Sequence, residues 1–171
     1  DNEIMVIANN EAEKNTRWYS GSGIYRNVNL FVGSRVHIPA DGVKITTTTA
    51  DEKASVIDIC TEVKKIAGTK EKVKVVCSIT SEGEKVAGDI IEVTMYPNEE
   101  EKVHQRICIE NAKLWDTEHP HLYECEMKIL SGEEELDCVK EHFGIRTLEL
   151  DAEHGLRLNG KEVKLRGTCI H

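Results

Sequence analysis

The side chains of a β-strand point alternately to its two faces, so apolar residues recurring at every second position commit a chain to half-buried sheet. This sequence does so repeatedly. Ile57, Ile59, Thr61 and Val63 alternate with Asp58, Cys60, Glu62 and Lys64, and Val73, Val75, Cys77 and Ile79 alternate with Lys72, Lys74, Val76 and Ser78. Val103, Ile107 and Ile109 oppose His104, Arg106, Cys108 and Glu110, while Tyr123, Cys125, Met127 and Ile129 oppose Glu124, Glu126 and Lys128. A β-branched run from Val43 through four threonines, an apolar stretch from Ile90 to Met95 and a last strand from Leu136 to Phe143 extend the series. Turn signals separate the runs: residues 81–84 (Ser-Glu-Gly-Glu), Pro97-Asn98 followed by Glu99-Glu100-Glu101, and a loop over 111–121 that holds Leu114, Trp115 and Pro120. No segment carries a helical period.

About seven short strands within residues 34–144 predict an all-β domain, an immunoglobulin-like antiparallel β-sandwich with flanking β segments from neighbouring domains. Tyr123, two residues before Cys125 at the start of the penultimate strand, has the position of a tyrosine corner. The inter-sheet disulfide does not follow. Its one partner in the second strand is Cys60, which alternation puts on the polar face with Asp58 and Glu62. No tryptophan falls on the third strand either. The six cysteines (60, 77, 108, 125, 138 and 169) form no C-x-x-C pair. Scattered singly among apolar residues, they read as reduced thiols in a cytoplasmic protein.

The flanks are patterned differently. Residues 4–8 form a short apolar run, as a buried strand does, and residues 27–32 alternate. Between them lies the densest aromatic and glycine cluster, residues 17–26, in which Trp18, Tyr19 and Tyr25 are expected to bury area around a sharply turned backbone. At the other end Gly155–Leu158 and the run 163–166 flank Asn159-Gly160, a pair that tolerates the positive φ of a primed hairpin turn. The second run continues to His171 as a strand without a partner, which points to a larger protein.

The net charge of −9 and a pI near 5.3 exclude the basic stripe that nucleic acid or an anionic membrane demands. No apolar run is long enough to span a bilayer. Glu99-Glu100-Glu101 and Glu133-Glu134-Glu135 are expected in turns, as solvated charge rather than a glycosidic acid/base pair. His119-Pro120-His121 splays its rings apart and makes a poor zinc pair. With no G-x-S-x-G, phosphate loop or Cys–His dyad, the residues describe a non-catalytic β piece.

Three motifs together resemble glycoside hydrolase family 2, the β-galactosidases, β-glucuronidases and β-mannosidases. Residues 17–26 (RWYSGSGIYR) look like the segment closing that family's sugar-binding jelly roll. Leu114-Trp115-Asp116 with Pro120-His121-Leu122-Tyr123 resembles the W-x-P-x-x-P-x-L-Y loop of its immunoglobulin-like domain, without the first proline. Phe143-Gly144-Ile145-Arg146, Leu158-Asn159-Gly160-Lys161 and Leu165-Arg166-Gly167 match the run into its catalytic (β/α)8 barrel. The resemblance implies the last strands of a jelly roll at 1–33, the sandwich at 34–144, and a hairpin plus first barrel strand at 145–171. His171 matches the sugar-contacting histidine of the family's G-x-N-x-H sequence, where Cys169 replaces the asparagine. The acid/base and nucleophile glutamates of the family lie on later strands, so this segment holds no catalytic residue and no metal or cofactor site.

The whole protein implied is a retaining β-glycosidase, β-galactosidase first, with β-glucuronidase or β-mannosidase as alternatives. Its expected partners are its own barrel and jelly roll, a β-linked sugar and further copies in a homo-oligomer, with a divalent metal left open. Two rival readings are a stand-alone carbohydrate-binding module with Trp18, Tyr19 and Tyr25 as its platform, and a disulfide-bonded interaction domain of a surface protein.

Overall fold

A computed structural model describes residues 3–9 and 22–169. The chain divides into two compact units, Asp1–Val32 and Gly33–His171. In the first, residues 3–9 and 22–32 form no strand, and Ile4, Ile7, Tyr25, Leu30 and Phe31 are all at least 75% exposed. The expected strands at 4–8 and 27–32 and the burial of Tyr25 are therefore absent among the described residues. Alternation makes a strand only where a neighbouring strand accepts its hydrogen bonds, and among the described residues none pairs with these runs. Trp18 and Tyr19 lie outside the described residues.

The second unit is all β. Eight strands build a sandwich: β1 (Val36–His37), β2 (Val43–Thr49), β3 (Ala54–Lys65), β4 (Glu71–Ser81), β5 (Glu84–Met95), β6 (Glu99–Glu110), β7 (Tyr123–Ser131) and β8 (Glu134–Phe143). In one sheet β3 is central, paired with β6 along its whole length and, on its other side, with β2 and then β1. The other sheet has the order β5-β4-β7-β8, and every pairing in both is antiparallel. The extra strand over the sequence reading is β1, two residues long and invisible to any period. The acidic triplets fall mostly in strands: Glu99 opens β6 after the Pro97-Asn98 turn, whereas Glu133 sits in the Gly132-Glu133 turn as expected and Glu134 opens β8, because each turn takes up two residues only.

Alternation fixes which faces meet. Ile57, Ile59 and Val63 of β3 with Val103, Ile107 and Ile109 of β6 face Val73, Val75, Cys77 and Ile79 of β4 with Cys125, Met127 and Ile129 of β7, and none is more than 5% exposed. Each such side chain contributes about 1.5–3 kcal/mol relative to leaving it in water. Tyr123 closes the core as a tyrosine corner. It is buried, stacks on its cross-strand neighbour Phe143 at 5.5 Å, and its hydroxyl accepts the Lys113 N–H at 2.8 Å.

All six cysteines are free thiols. Cys60 stands on the outer face of β3, so it has no path to Cys125. The thiol beside Cys125 is instead Cys77, diagonal to it across β4 and β7, with Sγ atoms 3.8 Å apart. The hydrogen bond with Cys77, together with burial, pushes the Cys125 thiol far above its ordinary range, and both side chains, wholly buried among apolar residues, pack as small apolar groups.

Lys65 brings a charge inside. The Lys65 side chain is 2% exposed and donates to Glu71 Oε2 at 2.7 Å, while the Ser131 hydroxyl donates to Glu71 Oε1 at 2.7 Å, tying β3 to β4 and β7. The Lys65 bond and then the Ser131 bond hold the Glu71 carboxyl below the usual range. The stability this lends is present above the unfolded carboxylate pKa and lost as pH falls through the lower folded value. Glu71→Ala strands a buried ammonium and should cost about 3 kcal/mol in urea unfolding at pH 7. The gap from wild type should narrow once pH drops below about 4.

Candidate functional site

A concentrated set of side-chain contacts lies at the seam where the sandwich passes into its C-terminal meander, β9 (Leu148–Asp151), β10 (Gly155–Leu158) and β11 (Lys161–Glu162). It is built from the β6–β7 loop. Asn111 leaves β6 at φ +50°, and Asp116 Oδ1 accepts the N–H groups of Glu118 at 2.8 Å and His119 at 2.6 Å, rounding the loop into a turn. The His119 N–H in particular holds the Asp116 carboxyl below its usual range.

Trp115 is thereby laid over the exit of β8. Its N–H donates to Ile145 O at 2.8 Å, and Ile145 is wholly buried. The Arg146 guanidinium lies 4.4 Å from the indole centroid, a cation–π contact. Gly144 passes beneath the ring so closely that a Cβ there falls 2.8 Å from Trp115 Cβ, Cγ and Cδ1.

The expected hairpin is present. Asn159 (φ +49°) and Gly160 (φ +76°) form its primed turn between Leu158 and Lys161. The returning strand is shorter than the run 163–166 suggested: Val163 N–H still reaches Leu156 O at 2.9 Å, but β10 begins at Gly155 and offers nothing further to pair with. Residues 163–169 carry no strand, and Leu165 is 77% exposed. On the other side of β10 lies β9, which no period announced. Arg157 ties the two, reaching Glu149 and Asp151 at 3.1 Å each.

These contacts tie the β6–β7 loop, the exit of β8 and the hairpin tip together. His119 and His121 turn to different neighbours, His119 to Asp116 at 3.4 Å and His121 to the Ser81 hydroxyl at 3.0 Å and edge-on to Tyr123. Among the described residues no three of His, Cys, Asp and Glu gather as a metal site. An open groove of about 530 Å³ on the outer face of the first sheet runs past Cys60 and His104, 3.8 Å apart, and four of the charges along it are paired across strands, Glu62 with Lys102 and Asp58 with Arg106. His171 lies outside the described residues. Sequence reasoning took Asn159 as a turn residue only and missed the closeness of Gly144 to Trp115. The glycine between two strand-like stretches was the available signal.

Fold and seam together define a class: an immunoglobulin-like sandwich with a C-terminal β-meander tied to its β6–β7 loop. The family model for glycosyl hydrolases family 2 matches residues 36–146. The chain belongs to that family. It is 36% identical over 171 residues to a β-galactosidase of Bacteroides ovatus, covering 99% of this chain and 20% of that protein. It is 32% identical over 161 residues to a β-galactosidase of Thermoanaerobacter pseudethanolicus, covering 87% and 19%. Among solved structures, a family 2 member from Bacteroides cellulosilyticus superposes with a TM-score of 0.88 at 30% identity over 96% of this chain and 23% of that one. A Bacteroides uniformis β-glucuronidase gives 0.74 at 25% identity over 81% and 18%. The chain thus spans about a fifth of the length of the relatives it matches.

The seam makes a direct prediction. Gly144→Ala drives a methyl into a rigid indole and should destabilise the unit by about 1–3 kcal/mol. Thermal unfolding should read the loss, and a shifted tryptophan emission in the folded state should show that the ring has moved.

Proposed function

We propose that this chain is the non-catalytic central part of a retaining β-glycosidase, a spacer that fixes a catalytic barrel relative to a sugar-binding domain. The observation that carries the reading is the Trp115 joint, which lies where the family resemblance places the passage from sandwich to barrel. A spacer must be stiff. Stiffness here comes from Trp115 packed on Gly144, Arg146 and Ile145, all next to the last sandwich strand. The carboxylates support the same reading: on the sandwich's outer faces they pair with lysine and arginine across strands instead of facing one another over a cleft, as a glycosidic pair must.

In this reading residues 1–33 finish the sugar-binding jelly roll and 145–171 enter the barrel, with His171 at the end of its first strand contacting the sugar. The whole enzyme hydrolyses terminal β-linked sugars. A β-galactoside is the first choice, supported by the 36% identity to the Bacteroides ovatus enzyme over nearly the whole chain, and a β-glucuronide the second. The enzyme is cytoplasmic and a homo-oligomer, and a divalent metal, if it uses one, is held by residues of its other domains.

The purified segment should release no nitrophenol from nitrophenyl β-galactoside or β-glucuronide above the blank, and galactose should leave its tryptophan emission unchanged. Saturable turnover by the segment overturns the spacer reading. A saturable fluorescence change without turnover replaces it with a sugar-binding module.

A further inference from the structure

A two-residue primed turn asks little of its first residue beyond tolerance of positive φ, so glycine or aspartate serves there as well as asparagine. Residue 159 does more than turn. Its Oδ1 accepts the Thr147 N–H at 3.0 Å, its Nδ2 donates to Trp115 O at 3.0 Å, and its own N–H donates to Thr147 O at 3.0 Å. A carboxamide this short is the side chain that offers an acceptor and a donor from one carbon; aspartate offers acceptors alone and glycine neither.

The partner is equally specific. Trp115 gives its N–H to Ile145 O and receives Asn159 on its own carbonyl, so both of its main-chain polar groups are committed. One goes to the strand leaving the sandwich and the other to the tip of the hairpin. Thr147 lies between them, one residue before β9, and its amide is engaged by the same side chain. A single amide therefore joins three points: the β6–β7 loop, the start of the meander and the turn that reverses it.

We propose that Asn159 is a positioning residue, a latch that fixes the direction of the β9–β11 meander, and of the chain beyond Glu162, against the sandwich. Its mechanics rest on these hydrogen bonds alone; its functional weight rests on the spacer reading above. In that reading the latch aims the chain beyond Glu162 toward the barrel. Any tilt at the hairpin grows along an extended chain that advances ~3.3 Å per residue.

The test uses the isotopically labelled 171-residue chain, with amide exchange for protection and residual dipolar couplings for the orientation of β9–β11 relative to β3, β4, β6 and β7. Asn159→Gly keeps the positive φ and deletes the amide. Thr147 should then exchange roughly five- to tenfold faster, the loss of one hydrogen bond. The meander's alignment should depart from that of the sandwich, whose own strands exchange as before. Asn159→Asp keeps the acceptor for Thr147 but sets a carboxylate oxygen against the Trp115 carbonyl, so Thr147 should stay protected while the orientation is released.

A glycine variant with wild-type alignment and wild-type Thr147 protection overturns the latch, as does an aspartate variant with wild-type alignment. If glycine melts the meander outright, the aspartate variant decides. Neither readout involves a sugar or a barrel, so the latch can fail while the glycosidase reading stands, and the reverse.

Discussion

The sandwich depends on two apolar rows meeting face to face, Ile57, Ile59 and Val63 of one sheet over Val75, Cys77 and Ile79 of the other. Each row exists because its strand alternates without interruption, and each is useless alone, since a single sheet leaves one apolar face wet. Of the polar groups admitted to this core, Thr61 Oγ1 and Gln105 Oε1 are left without a partner, and the bonds that are made lie at its margins. Lys65 reaches Glu71 across the β3–β4 connection, Gln105 Nε2 reaches Asp89 Oδ2 at 3.3 Å between β6 and β5, and Asp137 Oδ2 accepts the Ile38 N–H at 2.7 Å just after β1. These ties lie where one sheet passes to the other, so they stitch the edges and leave the apolar centre undisturbed.

The seam works by a different physics. Its contacts are mostly main-chain groups and one ring, and they depend on exact placement rather than on area. Tyr123 links the two regimes. Its ring belongs to the core, stacked on Phe143, while its hydroxyl holds the loop that carries Trp115 through Lys113. The strand that ends at Phe143 then runs through Gly144 under Trp115. Core packing is thus transmitted to the joint by two routes, a buried phenol and a glycine with no room to spare.

How much of this the sequence discloses follows the same division. The long strands were legible because a period of two repeats over many residues, and the phase of Cys60 was enough to dismiss a Cys60–Cys125 bond. The approach of Cys77 to Cys125 was not, because it depends on which strands become neighbours. β1 and β9 are too short to show a period, and β11 was read too far along because nothing local says where β10 stops. The flanking runs at 4–8 and 27–32 carry strand-like patterns but pair with no strand among the described residues, which no local pattern can reveal. At the seam, Asn159-Gly160 announced its turn. That the same asparagine also holds Trp115, 44 residues away, was beyond any local pattern.

The outer face of the first sheet carries a row of cross-strand charges: Lys64 with Glu100 at 3.2 Å, Glu62 with Lys102 at 3.1 Å and Asp58 with Arg106 at 3.7 Å. As exposed ion pairs these add little to stability. Their value lies in what they forbid. A slip of β6 by one residue turns its apolar row to water, but a slip by two preserves every face and is invisible to the hydrophobic core. In one direction that slip sets Lys64 opposite Lys102, and in the other Glu62 opposite Glu100, and in both every native attraction is lost. The core decides which way each strand faces, and the charges outside it decide how far along its neighbour the strand is allowed to lie.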